Sequence, residues 1–319
     1  MALQILGLAV AYYLAAQFGL RLALVQAQAS PFWPPTGISL VALLVLGVRV
    51  WPGIFLGQFA VEMMALPSIY AVPSAAGKTL ACLAAYFLLR RVGFRLELDR
   101  LKDALALVFL AAFAAMLISA TAGAGVRFLS GAVPAKYFWT MWLTWWTGDA
   151  VGVLMVVPLL LALLRFRWHP HTIDPHRLAE AALLLVGSLV VCVVEAQTLG
   201  VFFLAFPFLG WAALRFGLAG TAPVALIASV VAMYTAVNGY GPFADDGLRT
   251  AMVTLQLYNG SVALGGLLLA VTITERNQAR SDIDQTATRL GEVLNHLGKS
   301  TTTPHVPKWV RHQPPDDPE

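Results

Sequence analysis

Phe32-Trp33-Pro34-Pro35-Thr36-Gly37-Ile38 opens an apolar run that closes at Arg49-Val50-Trp51-Pro52-Gly53. Two prolines in succession cannot lie inside a regular helix, because each lacks an N–H and fixes φ. They suit the first turn of a helix, where the N–H groups have no partner in any case. Ile38 to Val48 then runs apolar between Trp33 and Trp51, the pattern of an interfacial aromatic belt. The stretch predicts a broken, re-entrant or abruptly started membrane helix.

The rest of the chain fits that reading. Of 319 residues, 59% are hydrophobic and 12% charged, with a mean hydropathy of +0.73. Soluble domains run near ~45–50% apolar and ~25% charged, so a soluble class is excluded. The apolar runs tile almost the whole sequence, which predicts an all-α, polytopic bundle in the lipid bilayer. The net charge of +4 needs no nucleic-acid partner, because the basic residues fall in short loops and form no basic-aromatic surface. Cys82 and Cys192 lie inside apolar runs and read as buried thiols. Met1–Leu24 is apolar, and Ala27-Gln28-Ala29 imitates a cleavage site. No positive charge precedes Arg21, so the segment reads as a retained first span.

Segments of about 17–25 apolar residues are candidate spans. They fall at Ala2–Ala23, Thr36–Val48, Pro52–Leu66, Val72–Leu89, Leu105–Phe128, Phe138–Leu164, Leu178–Glu195, Leu199–Leu214, Leu218–Val237 and Ala251–Ile273. The second and third are short enough to be a helical hairpin or broken pair, so the count is 8–10. With the N-terminus inside, the cytoplasmic loops collect Arg49, Arg90, Arg91, Arg95, Arg100, Lys102, Arg165, Arg167, Arg177, Arg215, Arg276 and Arg280. The outer loops hold Arg127, Lys136 and Arg249, the last beside Asp245 and Asp246. That asymmetry obeys the positive-inside rule and predicts an inner-membrane protein with both termini cytoplasmic.

After Ile273 the character changes, which divides the chain into a membrane domain at 1–274, a cytoplasmic helix at 275–298 and a disordered tail at 299–319. Ile283, Ala287, Leu290, Leu294 and Leu297 alternate at spacings of four and three. Such a seam of about two heptads suits a parallel helix pair, and so a homodimer. It suits equally one amphipathic helix lying on a surface.

An ionisable residue within a span costs about 2.5–3.5 kcal/mol or more at mid-helix, which makes each a functional candidate. Arg21, Glu62, Lys78, Asp149 and Glu195 qualify, and Arg21, Glu62, Lys78 and Glu195 fall toward the outer half. Glu62 and Lys78 lie on consecutive antiparallel spans and are expected to reach similar depth, as a structural ion pair or as part of an outward-facing polar pocket. Trp139, Trp142 and Trp146 recur at helical spacing, with Trp145 beside them. One turn deeper stands Asp149, flanked by Gly148 and Gly152, a small-xxx-small spacing that lets another helix approach closely. Asp149, Trp145, Trp146, Glu62, Lys78 and Trp33 are therefore the candidate ligand-binding residues. Ile283, Leu290, Leu294 and Leu297 are the candidate output helix. His169, His171 and His176 cluster in one loop without an acid or Cys to complete a metal site, so no metal or other cofactor is expected. Nor does any Ser/His/Asp or Cys/His arrangement support catalysis.

These segments resemble the first class of MASE membrane-associated sensor domains. The resemblance rests on Phe32–Ile38, Leu46-Gly47 through Arg49 to Trp51-Pro52-Gly53, and Phe55-Leu56-Gly57. It continues through Leu143-Thr144-Trp145-Trp146-Thr147-Gly148-Asp149-Ala150-Val151-Gly152 to Pro158-Leu159-Leu160. Farther on it takes in Phe206-Pro207-Phe208, Trp211 to Gly217, and Gly241-Pro242-Phe243. It implies a multi-span sensor that ordinarily precedes a histidine kinase or a cyclic-di-GMP enzyme; here it would act as a stand-alone module on such a partner in trans. Where the family tends to carry Asn near Glu62 and Gly-Asn-Thr before an acid, this chain has Glu62 and Gly77-Lys78-Thr79. A sensor or regulatory module is the leading expectation. A small-solute transporter or channel is the rival, since broken helices and membrane acids also mark transport sites.

Overall fold

The double proline does start a helix. In the computed structural model, Trp33 is the N-cap, with Pro34 and Pro35 in the first turn of α2 (Pro34–Leu46). The structure describes residues 1–22, 30–64, 68–165, 174–198, 202–241 and 248–301, of which the side chains at 68, 198, 248–249 and 293–301 are not described. Before α2 comes α1 (Ala2–Arg21), and after it α3 (Trp51–Glu62) and α4 (Ser68–Arg91). A continuous helical stretch then joins α5 (Leu101–Ala106), a π-helical turn at Leu107–Ala115 and α6 (Met116–Leu129). The remainder is α7 (Phe138–Arg165), α8 (Pro175–Thr198), α9 (Ala205–Phe216), α10 (Leu218–Val237) and α11 (Leu248–Thr301). No strand occurs among the described residues.

Seven of these segments are long and apolar enough to cross a membrane. Three are not. With 13, 12 and 12 residues, α2, α3 and α9 extend only about 18–20 Å at ~1.5 Å per residue, short of a hydrocarbon core of about 30 Å. The shortness of α2 and α3 matches the broken pair expected from sequence. Gly47, at φ +87°, ends α2 in a conformation that L side chains rarely adopt, and Trp51-Pro52 restarts the chain as α3. For α9 the sequence reading is corrected: a full span was expected from Leu199, but the helix begins at Ala205. Apolar character continues through Phe202-Phe203-Leu204 without helical structure, so hydropathy overstated its length.

By its contacts the chain divides into a unit at Met1–Thr274 and a second unit starting at Glu275. Within the first, α2 packs on α1, α4 and α7, and α3 on α1 and α4. Gly53 and Gly57 of α3 lie against Leu8 and Tyr12 of α1, too close for a Cβ. The largest apolar core joins α4, the π-helical turn, α7, α10 and α11 through Leu107, Met116, Met155, Met233, Leu255 and Leu267. A smaller core of Leu184, Cys192, Leu209, Val224 and Val262 joins α8 to α9, α10 and α11. Both cysteines are free and buried. In the second unit, Ile283 and Leu290 are 67% and 60% exposed. The expected seam residues Leu294 and Leu297 fall where side chains lie outside the described residues, as does the tail from 302 onward.

Candidate functional site

Asp149 and Glu62 organise the polar interior of the first seven helices, each by a different set of partners. Asp149 is 1% exposed. Its Oδ1 accepts from Thr36 Oγ1 at 2.6 Å, its Oδ2 from Ser119 Oγ at 2.6 Å, and Lys78 Nζ donates to both oxygens. Lys78 is equally buried and also lies 3.4 Å from Thr36 Oγ1. One carboxylate thus ties the first turn of α2 to α4, α6 and α7. Charge-assisted bonds of this kind are the strong ones, and here they leave neither ion unpaired in a low-dielectric interior.

Glu62 closes a second set. Its Oε1 accepts from Gln58 Nε2 and Ser74 Oγ, both at 2.8 Å, and its Oε2 from Arg127 Nη2 at 3.1 Å. Gln58 Oε1 in turn accepts from the Tyr12 hydroxyl, which accepts from Trp33 Nε1 at 3.3 Å. The guanidinium of Arg127 sits 5.3 Å from the ring centroid of Trp145, a cation–π distance. A continuous line of polar contacts therefore runs from Trp33 through Tyr12, Gln58 and Glu62 to Arg127 and Trp145.

Glu62 and Lys78 do not pair, which removes the ion-pair reading of the two the sequence left open: Lys78 belongs to Asp149 and Glu62 to Arg127. Equal depth on neighbouring spans fixes height but not azimuth, and Lys78 points toward α7 while Glu62 faces α6. Arg127, assigned from sequence to an outer loop, is instead in the last turn of α6 and 8% exposed. Arg21 lies in the last turn of α1 and is exposed. Thr36, Ser119, Gln58, Ser74 and Tyr12 were not foreseen. The one available signal was an acid and a base in spans, each needing neutral donors or acceptors to complete its shell.

The glycines flanking Asp149 do admit a close neighbour, the start of α2 and the segment leading into it: a Cβ at Gly37 of α2 would overlap the carbonyl of Gly152. A Cβ at Gly148 would overlap the carbonyl of Ser30, and one at Gly152 that of Trp33. The non-helical segment Ser30–Trp33 lies along α7 here, and Trp33 N–H donates to Gly148 O at 3.0 Å. The local turn is held by Ser30 Oγ, which donates to Phe32 O at 2.8 Å. So Trp33 and Asp149, far apart in sequence, meet at one site.

Trp139, Trp142 and Trp146 form one face, as their spacing predicts, with successive ring centroids 6.1 Å apart. Trp146 Nε1 donates to Phe113 O in the π-helical turn at 2.9 Å, and Trp142 Nε1 to Thr121 Oγ1 at 3.1 Å. Trp145 points elsewhere, onto Gly123 and Arg127. Of the loop histidines, His169 and His171 lie outside the described residues, and His176 is exposed at the start of α8. No group of three or more His, Cys, Asp or Glu able to hold a metal occurs among the described residues.

These features define a multi-pass helical membrane protein with buried ion pairs among its first seven helices. A match to the MASE1 family model covers residues 4–277, and the chain belongs to MASE1, a family of membrane-associated sensor domains. Comparison with curated proteins and with solved structures returned no match.

Proposed function

We propose that this chain is an integral membrane sensor whose detecting element is the network around Asp149, Lys78, Glu62, Arg127, Trp33 and Trp145. The observation that carries this reading is the contact set of Asp149, a single buried carboxylate on which α2, α4, α6 and α7 converge. A ligand or a change in the bilayer that lifts Ser30–Trp33 from Gly148 and Gly152 would draw Thr36 away from Asp149. The alternative packing would then be stabilised by whatever binds it better, the requirement for any switch. The margin is narrow by nature, because the Coulombic gain of a buried ion pair is largely offset by the desolvation of its charges.

In this reading 1–274 is the sensor domain in the inner membrane, with both termini cytoplasmic, an even number of crossings that needs one or all three of the short helices α2, α3 and α9 to cross with the seven long ones. Residues from Glu275 onward form the output helix, with Ile283 and Leu290 contacting a second copy or a partner. The partner is a histidine kinase or a cyclic-di-GMP enzyme, and no chemistry is catalysed by the membrane domain itself. MASE1 membership supports the sensory role, and the exposure of Ile283 and Leu290 leaves an apolar stripe available for contact.

Affinity capture from the native membrane tests this, comparing the intact chain, a version ending after Thr274 and Asp149→Asn. A kinase or cyclic-di-GMP enzyme recovered with the intact chain and lost on truncation is the expected result, with the output of that enzyme altered by Asp149→Asn. An output indifferent to Asp149→Asn would overturn the assignment of the site. Solute flux in proteoliposomes would overturn the sensor reading in favour of a transporter.

A further inference from the structure

The second half of the first unit holds a carboxylate that the Asp149 and Glu62 networks do not include. Glu195, in the last turn of α8, is 1% exposed. Its Oε1 accepts the N–H of Leu204 at 2.8 Å, from the segment leading into α9. Its Oε2 is buried without a hydrogen-bond partner among the described residues. Other buried polar atoms share that condition, among them the Tyr258 hydroxyl, both amide atoms of Asn259 and Gln256 Nε2 on α11, and Ser229 Oγ on α10. Asn259 and Ser229 are both 0% exposed.

These groups lie on α8, α10 and α11, which share one apolar core through Cys192, Ala228 and Val262. The Tyr258 ring lies 5.3 Å from that of Phe202, two residues before Leu204. Tyr258 is within electrostatic range of Glu195 and of Cys192 one turn below it. Gly266 of α11 faces Thr221 and Ala225 of α10. Asn259 is two turns earlier on that same face, and Ser229 is one turn beyond Ala225 on the antiparallel helix, so the two stand level. Gly241, just past α10, backs onto the carbonyl of Ala196, which brings the Glu195 turn to the same end of α10.

Native interiors seldom leave buried polar atoms unpaired, and a cluster of them marks a place for a bound species. The chemistry of the donors says which. Glu195 Oε2, Tyr258 Oη, Asn259 Oδ1 and Ser229 Oγ are all hard oxygen ligands, the set that alkali and alkaline-earth ions take and soft transition metals do not. One carboxylate without a Lys or Arg partner among the described residues balances a single positive charge. We propose that Glu195, Tyr258, Asn259 and Ser229 form a binding site for a monovalent alkali cation. The site stands apart from the Asp149 network, so either can fail without the other.

The test is thermal unfolding of the full chain in detergent, titrated with NaCl, KCl or choline chloride at fixed pH and constant total ionic strength. The unfolding temperature is expected to rise saturably with sodium or potassium relative to choline. Glu195→Gln is expected to shift half-saturation at least tenfold higher, and Ser229→Ala and Asn259→Ala to weaken it in the same direction. Should Glu195→Gln not fold, the Ser229 and Asn259 variants decide. Equal unfolding temperatures in the three salts would overturn the proposal. So would a cation response left unchanged in the variants that fold.

Discussion

Asp149 and Glu195 are both carboxylates on long apolar helices and both 1% exposed, yet their surroundings have little in common. Asp149 meets an ammonium and two hydroxyls from three other helices, and both of its oxygens are engaged. Among the described residues Glu195 meets one backbone N–H, and its other oxygen has no partner. The difference shows two ways of keeping a charge away from water. In α1–α7 the protein supplies the countercharge, so the ions act as internal fasteners between helices. Around Glu195 the described residues supply uncharged polar groups and no cation, the arrangement the proposed alkali ion would complete.

Substitutions can break this contrast. The largest effect is expected for Arg127→Met, which removes the guanidinium bonded to Glu62 Oε2 and also the contact with Trp145. Breaking one side of a buried pair costs about 3–5 kcal/mol, to be read as lost stability to denaturant in detergent. Next comes Gly152→Leu, whose side chain would collide with the Trp33 carbonyl. Overpacking of that kind costs about 1–3 kcal/mol. Amide exchange at Trp33, now bonded to Gly148 O, should accelerate with it. Trp146→Phe removes the indole donor from Phe113 O and should cost about 0.5–1.5 kcal/mol, the usual net worth of such a bond. Glu195→Gln sharpens the comparison from the other side. It keeps an acceptor for Leu204 N–H and removes a charge with no internal partner, so in choline chloride it should change stability by no more than about 1 kcal/mol. A loss as large as that of Arg127→Met would mean that Glu195 is paired after all.

Much of this fold was legible in the sequence, for identifiable reasons. Proline admits few helix positions, so Pro34-Pro35 marked the start of α2, and Gly47 to Pro52 marked the break before α3. Apolar run length located all the long helices. It failed at α9, because hydropathy cannot distinguish an apolar helix from an apolar extended lead-in at Phe202–Leu204. Asp149 with Gly148 and Gly152 pointed to a close-packed polar seam, and that seam is there, occupied by Ser30–Trp33. The pairing of charges was not legible, since depth along a helix says nothing of direction around it. Arg127 looked like a loop residue because the apolar run ends beside it. Thr36, Ser119, Ser74 and Gln58 gave no signal at all, neutral polar residues being common in spans for many reasons.

The most direct test of the internal-countercharge claim is a double-mutant cycle on the pair at the centre. Lys78→Met, Asp149→Leu and the double variant would be compared with the parent by thermal unfolding in lipid nanodiscs. Each single change strands a buried charge, whereas an apolar replacement of both is often neutral or stabilising. Each single variant should therefore unfold well below the parent, and the double variant should recover most of the loss. Losses that simply add, or single variants as stable as the parent, would show that Lys78 and Asp149 are not each other's countercharge.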